Sequence, residues 1–264
     1  MSIDPYDVLD DSFPAPTLPG RVVTGADADE VHGSLGADLL LQANNCVRAY
    51  GAFHLAVSGG STPLPFYRCL MVDPRFRQLP WERTHLWIVD ERCVPPDDPR
   101  CNFLHIQETI VEHVDIPPQQ VHPMDAHLPG AAAAYDRALR ETLAWREVGH
   151  DRLDFVLLGM GGDGHTASLF PHSPALAEAE ALVVANQGPT VTPPPRITMT
   201  YRLLNASRFV AVLVMGSSKH AMLDRVAHAD AAEAANLPIL GIAPTGGELR
   251  WYLDRAACTG VQAP

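Results

Sequence analysis

The segment best equipped for chemistry is Gly159-Met160-Gly161-Gly162-Asp163-Gly164-His165. Histidine is the side chain most readily poised to take and return a proton near neutral pH. A carboxylate two residues earlier, Asp163, can orient the ring, and a helix N-terminus beside it would favour the neutral imidazole that a base needs. A lone histidine would merely cap a turn; four glycines and the adjacent Asp163 point instead to an active-site turn. The first six residues also fit G-x-G-x-x-G, but the match lies mid-chain and Pro171 and Pro174 cut short any following helix. With no strand ending in an acidic residue ~20 positions on, a dinucleotide site is disfavoured.

A second glycine loop, Ser58-Gly59-Gly60-Ser61-Thr62-Pro63, follows an apolar run. Thr62 suits an N-cap and Pro63 the first helical position, which would leave N–H groups free to hold a phosphate or carboxylate. Without a ligand the same residues would be a plain capped turn; the place after a buried strand favours a site. No Walker A spacing is present. Asp90-Glu91-Arg92 puts two carboxylates and a guanidinium at the end of another apolar run, either as site residues or as a solvated cluster, and Asn102 can reach the same cleft. Arg196 follows three prolines and opens a run, Ile197–Thr200. Lys219 is the one lysine among 19 basic residues, which suggests a place where a compact ammonium is wanted, as against a phosphate. The His and Cys spacings lack zinc-like pairs, so neither metal nor cofactor is expected.

The elements that must position these residues are legible from periodicity. A helical pattern runs from about Asp29 to Tyr50 and ends at Gly51. Phe53–Val57, His85–Val89, Leu153–Leu158 and Arg208–Met215 are apolar runs followed by glycines or acidic loops, and Ile239–Ile242 is the expected last strand. Helical patterns lie between them, including an alanine-rich one over about 130–146 and another from about Ser217 to His228. A closing amphipathic stretch holds Leu249, Trp251, Tyr252 and Leu253. This alternation predicts an α/β fold, an open and mostly parallel sheet with helices on both faces. Residues 1–20, with Pro5, Pro14, Pro16 and Pro19, read as an extended arm, and 21–264 as a single domain. Ligands of such sheets bind beyond the carboxyl ends of the strands.

The net charge of −12 disfavours nucleic acid as a partner and leaves any anionic substrate to a few local cations. Five cysteines without paired spacing, no signal-like opening and no membrane-length apolar run predict a cytoplasmic protein. A monomer or small homo-oligomer is expected.

In order and spacing, SGGSTP (58–63), DER (90–92), GMGGDGHTASLFP (159–171), PRITMT (195–200) and GSSK (216–219) resemble the 6-phosphogluconolactonase family over about residues 22 to 255. The resemblance implies the modified Rossmann fold shared with glucosamine-6-phosphate isomerase. It also implies hydrolysis of 6-phosphogluconolactone, a small phosphosugar lactone, in the oxidative pentose phosphate pathway. It makes His165 the base that activates water and puts the phosphate on Gly59, Gly60, Ser61 and Thr62 with Arg196 and Lys219. Asp90, Arg92 and Asn102 then stand around the sugar or at structural posts nearby. Isomerases of this kind carry a relay glutamate five residues after the histidine, where this chain has Phe170. A phenyl ring cannot shuttle protons. A non-catalytic sugar-phosphate sensor would need a DNA-binding segment that this acidic chain lacks.

Overall fold

The apolar runs become strands because they are short, rich in β-branched and aromatic residues, and bounded by turn residues. The computed structural model describes residues 13–144, 146–149 and 151–261. In chain order the elements are β1 (Arg21–Gly25), α1 (Ala28–Tyr50), β2 (Phe53–Val57), α2 (Leu64–Val72), β3 (Thr84–Ile88), β4 (Asp90–Arg92) and α3 (Asn102–Thr109). Then follow β5 (Val121–His122), α4 (Ala131–Leu143), β6 (Phe155–Gly159), β7 (Val183–Asn186), β8 (Arg196–Met199) and α5 (Tyr201–Ala206). The described part closes with β9 (Phe209–Val214), α6 (His220–His228), β10 (Glu248–Asp254) and α7 (Arg255–Thr259).

Seven strands pair in parallel in the order β1-β10-β9-β6-β2-β3-β5. Every residue of β2 and β9 is buried, as expected of strands covered on both faces. From β2 the chain winds outward one way through β3 and β5; from β6 it winds the other way through β9 and β10. The reversal between β2 and β6 is a topological switch point, and the loops beyond their carboxyl ends flank a crevice.

Three strands leave this sheet. β4, β8 and β7 pair antiparallel in the order β4-β8-β7. Val89 is the junction: its N–H donates to Val57 O in the large sheet at 3.0 Å, and its carbonyl accepts from Met199 N in the small one at 2.9 Å. Asp90–Arg92 is therefore a separate strand rather than the end of β3.

Several expectations are corrected. Ile239–Ile242 is no strand: Pro238–Gly241 forms a 3-10 turn, since Pro238 cannot donate to a ladder and Ile239 N is spent on Gly164 O at 3.0 Å. The last strand is β10, in the stretch that looked amphipathic. α2 starts at Leu64, so Thr62 is not its N-cap, and no side chain caps that helix. The N-terminal arm lies in part on residues 1–12, outside the described residues. Its remainder has no helix or strand and is fastened where Trp251 Nε1 donates to Pro19 O at 2.8 Å.

Candidate active site

At the switch point the loop after β2 and the loop after β6 face each other across a pocket of about 370 Å³, within the range of small-ligand sites. Ser58, Gly59, Gly60, Ser61, Thr62, Asp90, Arg92, Asn102, His165, Arg196 and Lys219 all line it, together with Met160, Ala167, Ser168, Phe170 and Thr192. Every sequence-predicted site residue except Asp163 thus meets in one cavity, and Asp163 touches it through His165.

The β2 loop is shaped for an anion. Gly60 adopts φ +97, a conformation that favours glycine, and a Cβ on Gly59 would overlap the Asn102 side chain. None of the N–H groups of Gly59, Gly60, Ser61 and Thr62 has a hydrogen-bond partner among the described residues. Four unsatisfied donors ahead of a helix make an acceptor-seeking concavity. Asn102 supports it from behind, with Nδ2 donating to Asp90 O at 2.7 Å.

The β6 loop presents the imidazole. Gly161 is required there because a Cβ would overlap the His165 ring, and Gly161 N donates to His165 O at 2.7 Å. Asp163 Oδ1 lies 2.5 Å from His165 Nδ1 and accepts the His165 backbone N–H at 3.1 Å. The hydrogen bond to His165 holds the Asp163 carboxyl at a pKa of about 2, so it is ionised and can only accept. The Nδ1 atom must then carry the proton, which leaves the Nε2 lone pair as the basic position. The ring packs on Phe170 at 4.6 Å between centroids and its side chain stays 31% exposed, so water can reach it. No helix begins beside His165; turns lead to a 3-10 segment at Pro174–Ala177. The tautomer is set by Asp163 and not by a helix dipole.

Three cations complete the pocket. Arg92 and Arg196 are direct cross-strand partners on β4 and β8, a like-charge placement that costs stability. Arg92 donates to Arg100 O at 2.6 Å, Arg196 to Pro194 O at 2.9 Å and Lys219 to Met160 O at 2.7 Å. None of the three has a carboxylate partner among the described residues. Burial first, then the nearby Arg92 charge, lowers the Arg196 pKa; burial lowers that of Lys219, with Asp163 opposing.

Glu91 does not belong to this set. It is 1% exposed, and its carboxylate accepts the N–H groups of Asn102 at 2.7 Å and Phe103 at 2.8 Å, closing the start of α3. Burial raises its pKa against those bonds. Of the DER triplet only Asp90 and Arg92 face the cavity. Sequence reasoning passed over Ser168, whose Oγ donates to Asp90 Oδ2 at 2.6 Å; its place three residues beyond His165 was the available signal. Among the described residues no group of three or more His, Cys, Asp or Glu is arranged to hold a metal, and no helix is long and apolar enough to cross a membrane.

Comparison with known proteins gives a consistent picture. Residues 26–251 match the family model described as glucosamine-6-phosphate isomerases/6-phosphogluconolactonase. The chain is 41% identical over 245 residues to the human GDH/6PGL endoplasmic bifunctional protein, covering 90% of this chain and 30% of that protein. It therefore spans less than a third of that relative's length. It is 38% identical over 223 residues to a 6-phosphogluconolactonase of Nostoc sp., covering 83% of this chain and 89% of the relative. The crystal structure of a 6-phosphogluconolactonase from Thermotoga maritima superposes with a TM-score of 0.73 at 28% identity, covering 89% of this chain and 99% of that one.

Proposed function

We propose that this chain, which belongs to the family of glucosamine-6-phosphate isomerases and 6-phosphogluconolactonases, hydrolyses 6-phospho-D-glucono-1,5-lactone to 6-phosphogluconate, with His165 as general base. The observation that carries the reading is the pairing of two features in one pocket. An imidazole with Asp163 on Nδ1 has its Nε2 lone pair available, and among the described residues three cations have no carboxylate ion-pair partner and four loop N–H groups have no acceptor.

In this mechanism the phosphate docks first, on the Gly59–Thr62 amides with Arg196 and Lys219. Its binding energy, remote from the reacting carbon, fixes the lactone carbonyl near His165. Nε2 removes a proton from water as the oxygen attacks the carbonyl carbon. A loop N–H or Arg92 stabilises the oxyanion. The tetrahedral intermediate collapses, the ring C–O bond breaks, and the imidazolium returns its proton to the departing oxygen. Asp163 stays ionised throughout and stabilises the transient imidazolium. The reaction belongs to the pentose phosphate pathway, and the unpaired cysteine spacing fits a reducing cytoplasm.

The isomerase alternative needs a proton relay where this chain has Phe170, a buried ring against His165. The two readings separate in one experiment. The protein is mixed with freshly made 6-phosphogluconolactone while acid release is followed, with glucosamine 6-phosphate run in parallel. Fast acid release from the lactone and no ammonia from the amino sugar are expected. Ammonia release, or binding without turnover, would overturn the proposal.

A further inference from the structure

Ser168 is 1% exposed, and each of its polar groups is bonded to a different strand of the small sheet. Its Oγ donates to Asp90 Oδ2 on β4 at 2.6 Å. Its N–H donates to Thr198 Oγ1 on β8 at 3.2 Å. Its carbonyl accepts from Asn186 Nδ2 on β7 at 2.7 Å. All three partners are themselves buried. That sheet also carries Arg92 and Arg196, so one rigid unit holds the cations and grips the chain three residues beyond His165.

The connection between grip and base is short and strained. Ala167 has φ 50, a left-handed conformation that is strained for a non-glycine residue. Thr166 Oγ1 donates to Gly159 O at 2.8 Å, and Leu169 N donates to Thr166 O at 2.9 Å. Such a backbone persists only where its surroundings over-determine it. The three Ser168 bonds are part of what holds it there.

We propose that Ser168 is a positioning residue, which docks the His165 loop onto the cation-bearing sheet and so sets the distance between the base and the bound anion. The inference rests on the lactonase reading for its kinetic consequence but not for its geometry. A displacement of the base of about 1 Å is enough to cost ~100-fold in rate.

The test compares the wild-type chain with Ser168→Ala, His165→Ala and the double variant, each corrected for its folded fraction by thermal melting. Ser168→Ala is expected to lower kcat about 10–100-fold while inorganic phosphate binding, read by calorimetry, changes less than about threefold. In the His165→Ala background the same substitution should change the residual rate by less than about threefold, because groups that act as a unit are not additive. Equal factors on both backgrounds, or an unchanged kcat per folded molecule, would overturn the proposal. Ser168→Ala removes only the Oγ bond to Asp90; Thr198→Val removes the longer bond from the Ser168 N–H, at 3.2 Å, and should give a smaller loss with the same coupling; additivity there also counts against it. A second readout needs no turnover. With 15N-labelled histidine, the His165 ring should give one sharp set of resonances in the wild type and a broadened or split set in Ser168→Ala. An unchanged ring signal refutes the positioning role even if the chain opens no lactone, an outcome that would separately refute the proposed reaction.

Discussion

At the amino ends of β2, β6 and β9, Asp154 is wholly buried and its carboxylate collects Arg146 at 2.8 and 2.9 Å, Arg208 at 3.3 Å and the His54 backbone N–H at 2.8 Å. Beyond the carboxyl ends of that sheet Arg92, Arg196 and Lys219 donate to carbonyl oxygens and, among the described residues, form no ion pair with a carboxylate. The Tyr50 ring even lies under both amino-end guanidinium groups, at 5.1 and 4.7 Å, adding cation–π attraction. One end of the sheet ties its cations to a buried carboxylate and the other leaves them for a ligand. What distinguishes the two places is a directly paired, buried carboxylate.

Breaking either end should show the contrast. His165→Ala is expected to lower kcat by about 10²–10⁴-fold, the usual worth of general-base help, with melting temperature and phosphate binding nearly unchanged. Asp154→Asn should do the reverse. Stripping the charge from a buried pair costs about 3–5 kcal/mol, readable by denaturant titration, while kcat/KM per folded molecule stays level. Arg196→Met sharpens the comparison: it should raise KM by about 10–100-fold, the worth of a charge-assisted hydrogen bond to phosphate, yet leave the ligand-free protein as stable or more so. In that variant the rise in melting temperature on adding phosphate should shrink, since ligand-linked stabilisation follows affinity.

A further effect lies in the acid limb. Burial, then the Arg146 charge, hold the His54 pKa down from 6.5 to about 2. The unfolded chain binds that proton first, so this contribution is full above pH 6.5 and is lost progressively as pH falls towards 2. Asp163 behaves likewise over a narrower window, from 3.8 down to about 2, and solvent at its half-exposed side chain weakens the effect. Stability measured against pH should fall below 6.5 in the wild type and more gently in His54→Asn. An unchanged slope would mean that the amino end does not bury a neutral imidazole.

Much of this was legible in the sequence because the signals were local. Phe53–Val57 and Phe209–Val214 declare themselves as buried strands, and the glycine loops that follow announce their own turns. What escaped was non-local. β1 and β7, of five and four residues, are short enough to pass for loop, and β10 hides its alternation behind Arg250. The small sheet joins residues about a hundred positions apart, Asp90 with Thr198, and no local pattern encodes such a pairing. The DER triplet read as either site residues or a solvated cluster because spacing cannot show which neighbour turns inward. Asp163 was seen beside His165, but its grip on Nδ1 depends on Gly161 having no side chain, which only the fold reveals.

The edge strand β1 pairs in register with β10, Arg21 opposite Arg250 through Gly25 opposite Asp254. During synthesis the earliest of the described strands must wait for the latest before its ladder can close, a delay that long loop closure and parallel pairing both lengthen. A nascent chain arrested before residue 248 would hold every pocket residue yet leave β1 and β9 with open edges, a target for chaperones until β10 emerges.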